Sequence, residues 1–171
     1  MNSNNNKLIE VKNLKKYFPI KGGIFNKKVG DVKAIENINF AILKGEVLGL
    51  VGESGSGKTT LGRSILRLIE PSEGSITFEK KDITNLSEKE MRTYRKDMQI
   101  IFQDPYASLD PRKRIVNIIG QGLKIHTNMN KQEIYDKVMT IIKDVGLQEE
   151  HLNRYPHEFS GGQRQRIGIA R

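Results

Sequence analysis

A chain of 171 residues with no cysteine is long enough to bury one core without covalent staples, and it excludes disulfides, thiolate metal sites and cysteine nucleophiles. Its formal charge of +9 is uneven: residues 1–33 hold eight lysines against Glu10 and Asp31, which reads as a solvated basic face near phosphates or lipid headgroups before it reads as a nucleic-acid surface. The polar start Met1–Asn6 and a mean hydropathy of −0.53 carry neither the pattern of a secretory signal nor a membrane span, so the chain is expected to be soluble by itself.

In chain order, Leu8–Val11 reads as a strand and Lys33–Leu43 as another, with Ile35, Ile38, Phe40 and Ile42 partly alternating; the two are expected to pair antiparallel. Between them Lys21–Gly30 is rich in glycine and lysine, follows neither period and is predicted to be an inserted surface loop. The short apolar run Val47–Val51 predicts a buried strand. From Thr59 to Ile69 the apolar residues Leu61, Ile65, Leu68 and Ile69 fall at helical spacing. Pro71–Gly74 is a turn into the strand Ser75–Phe78, and Asn85 or Ser87 caps a helix running to Lys96. A further strand, Met98–Phe102, stops at Gln103-Asp104-Pro105. Beyond it, Ile115, Ile118, Ile119 and Leu123 mark one helix, and Ile134, Val138, Ile141, Ile142 and Val145 mark a second that Gly146 ends. The histidines His126, His151 and His157 lack metal-ligand spacing.

Between the strand at Val51 and the helix from Thr59 lies Gly52-Glu53-Ser54-Gly55-Ser56-Gly57-Lys58-Thr59, which fills every fixed position of G-x-x-x-x-G-K-[ST]. The three glycines let successive N–H groups turn toward one anion, and the helix start adds partial positive charge. A triphosphate suits such a nest. Lys58 reaches the outer phosphates as a point charge, the Thr59 hydroxyl supplies an oxygen ligand for Mg²⁺, and Thr60 touches the inner phosphate.

The segment Phe159-Ser160-Gly161-Gly162-Gln163 resembles the signature motif of ATP-binding cassette ATPases, with Phe159 where leucine is usual. A hydroxyl and two glycines before a helix also make a second anion site, or a simple capped helix start. The joint order of phosphate loop, Gln103 and signature is similar to that of the cassette family over essentially the whole chain. The resemblance implies an α/β fold: a P-loop NTPase core with an N-terminal antiparallel β-subdomain and an inserted helical subdomain. Residues 1–103 would form the β-subdomain and phosphate-loop core, and 104–171 the helical subdomain ending in the signature helix. It implies ATP and Mg²⁺ as ligands, Lys58 and Gln103 as catalytic, and Thr59 and Gln103 at the metal. Tyr17 resembles the aromatic residue that stacks on adenine, with an apolar contact beside the first strand as the plainer reading. Ser160, Gly161, Gly162 and Gln163 would face the nucleotide of a second cassette subunit in a head-to-tail dimer.

Tyr17-Phe18-Pro19-Ile20, the segment Gln103–Arg112 and Tyr155–Phe159 are similar to the oligopeptide and dipeptide importer ATPases. That branch implies two membrane-spanning permease subunits, an extracytoplasmic solute-binding protein, a peripheral location on the cytoplasmic face of the cell membrane and no nucleic-acid partner. A cassette ATPase acting on ribosomes or DNA is the competing class, supported by the charge alone. The family's Walker B aspartate, catalytic glutamate and switch histidine all follow the signature, and Arg171 precedes them. The chain as written is therefore expected to be a nucleotide-binding remnant without turnover, with an uncovered sheet edge that makes it prone to aggregate.

Overall fold

In the computed structural model, which describes residues 6–23, 27–102 and 108–171, the N-terminal strands are much longer than their apolar periodicity suggests. Strand β1 (Lys7–Gly22) pairs antiparallel with β2 (Lys27–Leu43) along its length, so the predicted loop Lys21–Gly30 is mostly hairpin. Glycine and lysine do not stop a strand whose backbone finds a ladder. Helix α1 (Lys58–Ile65) follows, then β3 (Glu73–Phe78), β4 (Lys81–Asp82) and α2 (Glu88–Arg95). The four strands form one antiparallel sheet in the order β2-β1-β3-β4.

The chain divides into two units, the first ending at Gln99 and the second running from Ile100 to Arg171. In the first, Val11, Leu14, Ile35, Ile76 and Phe78 of the sheet pack with Leu61 of α1 and Met91 of α2. Val11 and Leu14 are three apart, which plain strand alternation would send to opposite faces. A bulge reconciles them: Asn13 adopts φ 48° and its N–H donates to Asn39 Oδ1 at 2.8 Å, while Val11 and Leu14 oppose Phe40 and Ile38.

Helix α1 ends four residues earlier than its periodicity predicts. Arg67 takes φ 53° and turns its buried guanidinium away from the helix, donating from Nε to Ile83 O at 3.0 Å and from Nη2 to Leu86 O at 3.2 Å. Leu68 is left half exposed. Ser87, not Asn85, caps α2, with a reciprocal box in which Glu90 Oε2 accepts the Ser87 N–H at 2.8 Å.

Two predicted strands are absent. Val47–Val51 and Met98–Phe102 join no sheet among the described residues, and Val47 and Val51 are almost wholly exposed. An apolar run becomes a strand only when a neighbouring backbone satisfies its N–H and C=O groups, and none lies beside these segments. The observed fold is thus mixed α/β with an antiparallel sheet, and no parallel core sheet occurs among the described residues.

In the second unit α3 (Ile115–His126) and α4 (Lys131–Asp144) lead through two 3₁₀ turns, Glu149–Asn153 and Pro156–Glu158, to α5 (Gly161–Ala170). Ile115, Ile119, Val138, Ile142, Leu152 and Ile167 are buried at its centre. A Cβ on Gly120 would lie 3.1 Å from Ile134 Cγ2, so the bare glycine lets α3 and α4 approach closely. Gly146, at φ 71°, closes α4 as expected, and the Leu147 N–H reaches back to Ile142 O at 3.0 Å.

Candidate functional site

The glycine-rich loop leaves Glu46 without regular structure and enters α1 at Lys58. Gly55 and Gly57 hold φ 83° and 89°, conformations that cost other residues about 1–2 kcal/mol. Gly57 is also pinned by space, since a Cβ there would sit 2.3 Å from the Ala34 carbonyl oxygen of β2. Gly57→Ala is therefore expected to destabilise the first unit by at least about 2 kcal/mol, read as a lower urea midpoint.

The Lys58 ammonium donates to Gly52 O at 2.7 Å, Glu53 O at 2.5 Å and Ser56 Oγ at 3.2 Å, which fixes a cation over the hollow of the loop. A Cβ on Gly52 would enter that hollow, 2.7 Å from Ser56 Oγ. Three other helices, α2, α4 and α5, carry reciprocal side-chain caps at Ser87, Asn130 and Ser160. Helices α1 and α3 have none, so the first-turn N–H groups of α1, at the end of the glycine loop, have no side-chain acceptor from a cap. A hollow lined with N–H donors and one fixed ammonium fits phosphate oxygens. Thr59 is exposed on the first turn of α1, next in the chain to Lys58. Gln103 lies outside the described residues.

Tyr17 sits on β1 opposite Lys33, the chain neighbour of Ala34, whose carbonyl oxygen Gly57 abuts. Its hydroxyl donates to Glu36 Oε1 at 2.7 Å, which raises the phenol pKa and lowers that of the carboxylate. The Lys33 ammonium stands 5.5 Å from the ring centroid. Sequence reasoning missed Lys33, Ala34 and Glu36, because only the pairing register marks them.

At the signature, Ser160 and Gln163 bond to each other: Gln163 Oε1 accepts the Ser160 N–H at 3.0 Å, and Ser160 Oγ accepts the Gln163 N–H at 3.3 Å. The plain capped start is thus real. The two glycines between them do something else, because a Cβ on Gly161 or Gly162 would meet nothing within 4 Å. Neither fold nor backbone conformation requires glycine there, while glycine weakens a helix by about 1 kcal/mol relative to alanine. An open groove of about 720 Å³ beside them is lined by Gly146, Gln148, His151, Gly162, Gln163 and Arg166. His151 accepts the Gln148 N–H at Nδ1, 3.0 Å, and meets the buried Phe159 ring edge-on, which gives the phenylalanine in place of the usual leucine a packing role.

The basic N-terminal region is largely paired. Lys7 and Lys12 meet Glu10, Lys15 meets Glu73, Lys28 meets Asp31 and Lys33 meets Glu36, at 2.7–3.2 Å. Exposed pairs of this kind contribute about 0–1 kcal/mol each, but they lower the free charge available to a polyanion. No group of acidic and histidine side chains able to hold a metal alone occurs among the described residues.

A glycine hollow closed by Lys58 at the mouth of an uncapped helix, set against an antiparallel sheet, is the build of a phosphate-loop cassette. The family model described as ABC transporter matches residues 35–171, and the chain belongs to that family. It is 51% identical over 170 residues to the oligopeptide transport ATP-binding protein AppF of Bacillus subtilis (strain 168), covering 99% of this chain and 52% of that protein. It is 52% identical to the oligopeptide transport ATP-binding protein OppF of Streptococcus mutans serotype c (strain ATCC 700610 / UA159), covering 100% of this chain and 54% of that protein. The chain thus spans about half the length of the curated relatives it matches. The dimeric post-hydrolysis state of the ATP-binding cassette MJ0796, bound to ADP and Pi, superimposes with a TM-score of 0.81 at 28% identity, over 95% of this chain and 67% of that one.

Proposed function

We propose that this chain is the nucleotide-binding part of an ATP-hydrolysing importer subunit for oligopeptides or related small solutes. The observation that carries the reading is the uncapped start of α1 behind a glycine hollow that already holds the Lys58 ammonium. About 50% identity to two oligopeptide transport ATP-binding proteins across the whole chain supports the substrate class. Residues 1–103 serve as β-subdomain and phosphate-loop core, and 104–171 as helical subdomain. In the whole protein the exposed run Val47–Val51 takes its place in a core sheet.

The chain's own contribution to the reaction is binding and orientation. The loop N–H groups from Gly52 to Gly57 and the Lys58 ammonium hold phosphate oxygens, Thr60 contacts the inner phosphate, and the Tyr17 ring stacks on the base. Mg²⁺, held by Thr59 and Gln103, would neutralise charge on the transferred phosphoryl group. Ser160, Gly161, Gly162 and Gln163 meet the nucleotide of a second cassette subunit, so two subunits complete two sites. The pair works on the cytoplasmic face of two membrane-spanning subunits served by a solute-binding protein. An exposed apolar groove between α3 and α4, lined by Val116, Ile125, Met129, Ile134 and Tyr135, offers a docking surface for those subunits.

The test is affinity purification of the tagged protein from detergent-solubilised membranes, with ATP-analogue binding measured on the same material. Recovery of two membrane-spanning subunits with saturable nucleotide binding is expected. Salt-sensitive RNA or DNA binding without membrane subunits would assign the protein to the cassette ATPases that act on nucleic acid or ribosomes.

A further inference from the structure

The β1–β2 hairpin beyond Tyr17 carries an apolar face that no described residue covers. Phe18 pairs with Val32 and Ile20 with Gly30, and alternation puts Phe18, Ile20 and Gly22 on one side of the ribbon with Val32 and Gly30. A one-residue bulge between the pairs Ile20–Gly30 and Lys21–Lys28 brings Val29 to the same side, where a Cβ on Gly22 would lie 3.3 Å from both its methyls. Phe18, Ile20, Val29 and Val32 are 38%, 46%, 66% and 54% exposed. The other side carries Tyr17, Pro19, Lys21, Lys28, Asp31 and Lys33.

Cations stand at both ends of the apolar face. Lys16 Nζ lies 4.9 Å from the Phe18 ring centroid at the base, and Lys27 is paired with Gly22 at the far end. From residue 16 to residue 33 five lysines face one acid, Asp31. That acid holds Lys28 at 2.8 Å, while Lys21 and Lys27 have no ion-pair partner among the described residues.

We propose that this ribbon lies in the headgroup layer of an anionic lipid bilayer, with Phe18, Ile20, Val29 and Val32 toward the acyl chains, Lys16 and Lys27 at the lipid phosphates from the two ends of that face, and Lys21 at them from the opposite side of the ribbon. A segment that is apolar on one face and lysine-rimmed gains from both burial and charge at such an interface, and from little of either in water. Long lysine side chains reach the phosphates while their stems cover apolar surface. Nucleic acid would use the lysines but gains nothing from three aliphatic side chains that offer neither hydrogen bonds nor flat stacking surfaces. The inference stands apart from the transport reading, because it needs no permease.

The test is sedimentation of the full chain with phosphatidylcholine vesicles, with and without phosphatidylglycerol. The chain has no tryptophan, so Val29→Trp supplies a single fluorescent reporter on the ribbon. Phosphatidylglycerol is expected to raise the partition coefficient at least about tenfold and to blue-shift the Val29→Trp emission. The double variant Lys21→Glu/Lys27→Glu is expected to abolish that gain, and Ile20→Ser/Val32→Ser to abolish the blue shift of the reporter, at unchanged circular dichroism. Equal binding to neutral vesicles, or a reporter whose emission stays that of water, overturns the proposal. So does a finding that the charge-reversal variant loses RNA binding or recovery of a protein partner while its vesicle partition is unchanged.

Discussion

Lys58→Ala is expected to lower ATP affinity about 100-fold, or ~3 kcal/mol, and to remove turnover in the assembled ATPase. Three loop oxygens hold this ammonium, so its loss takes both the charge and the clamp on Gly52 and Glu53. Lys58→Arg separates the two: it restores charge but not a compact ammonium, and should recover little affinity. Isothermal titration with an ATP analogue decides the matter. Unchanged affinity in Lys58→Ala would remove the phosphate-loop assignment.

Gly162→Asp should act in the opposite way on stability and on turnover. Space around the position is open, and an acid in the first turn of α5 favours the helix, so the melting temperature should hold or rise slightly. Nucleotide binding to the chain's own loop should be unchanged. If the signature faces a partner's nucleotide as proposed, turnover of the assembled dimer is expected to fall at least about 100-fold, because the added carboxylate would repel that nucleotide's phosphates. Retained turnover at normal stability would return the signature segment to a capped helix start and nothing more.

Much of this was legible in the sequence for local reasons. The phosphate-loop motif, the caps at Ser87 and Ser160 and the stop at Gly146 each depend on a few adjacent residues, and the structure shows the two caps and the Gly146 stop. What failed depended on residues distant in the chain. Val47–Val51 has the composition of a strand but no ladder beside it, so composition could not decide its state. The hairpin was missed for the converse reason: Lys21–Gly30 lacks strand composition, yet β2 supplies β1 with a continuous backbone partner. Arg67 falls within the predicted helix Thr59–Ile69, and only its bonds to the carbonyls of Ile83 and Leu86 show why the helix stops before it. In the candidate site, the phosphate side was read from one motif. The surroundings of Tyr17 required the register, because Glu36 and Lys33 lie 19 and 16 positions away along the chain.

Helix α1 is a rod only about 12 Å long, rooted at one end in the glycine loop and at the other in the Arg67 clamp on the approach to α2. So short a helix has little room to bend, and its first turn lacks the side-chain cap that α2, α4 and α5 carry. Amide exchange in that turn should therefore slow when the loop takes an anion, and the slowing should extend to Ile83 and Leu86 at the far end of the clamp. Occupancy of the loop then registers as rigidity two elements away.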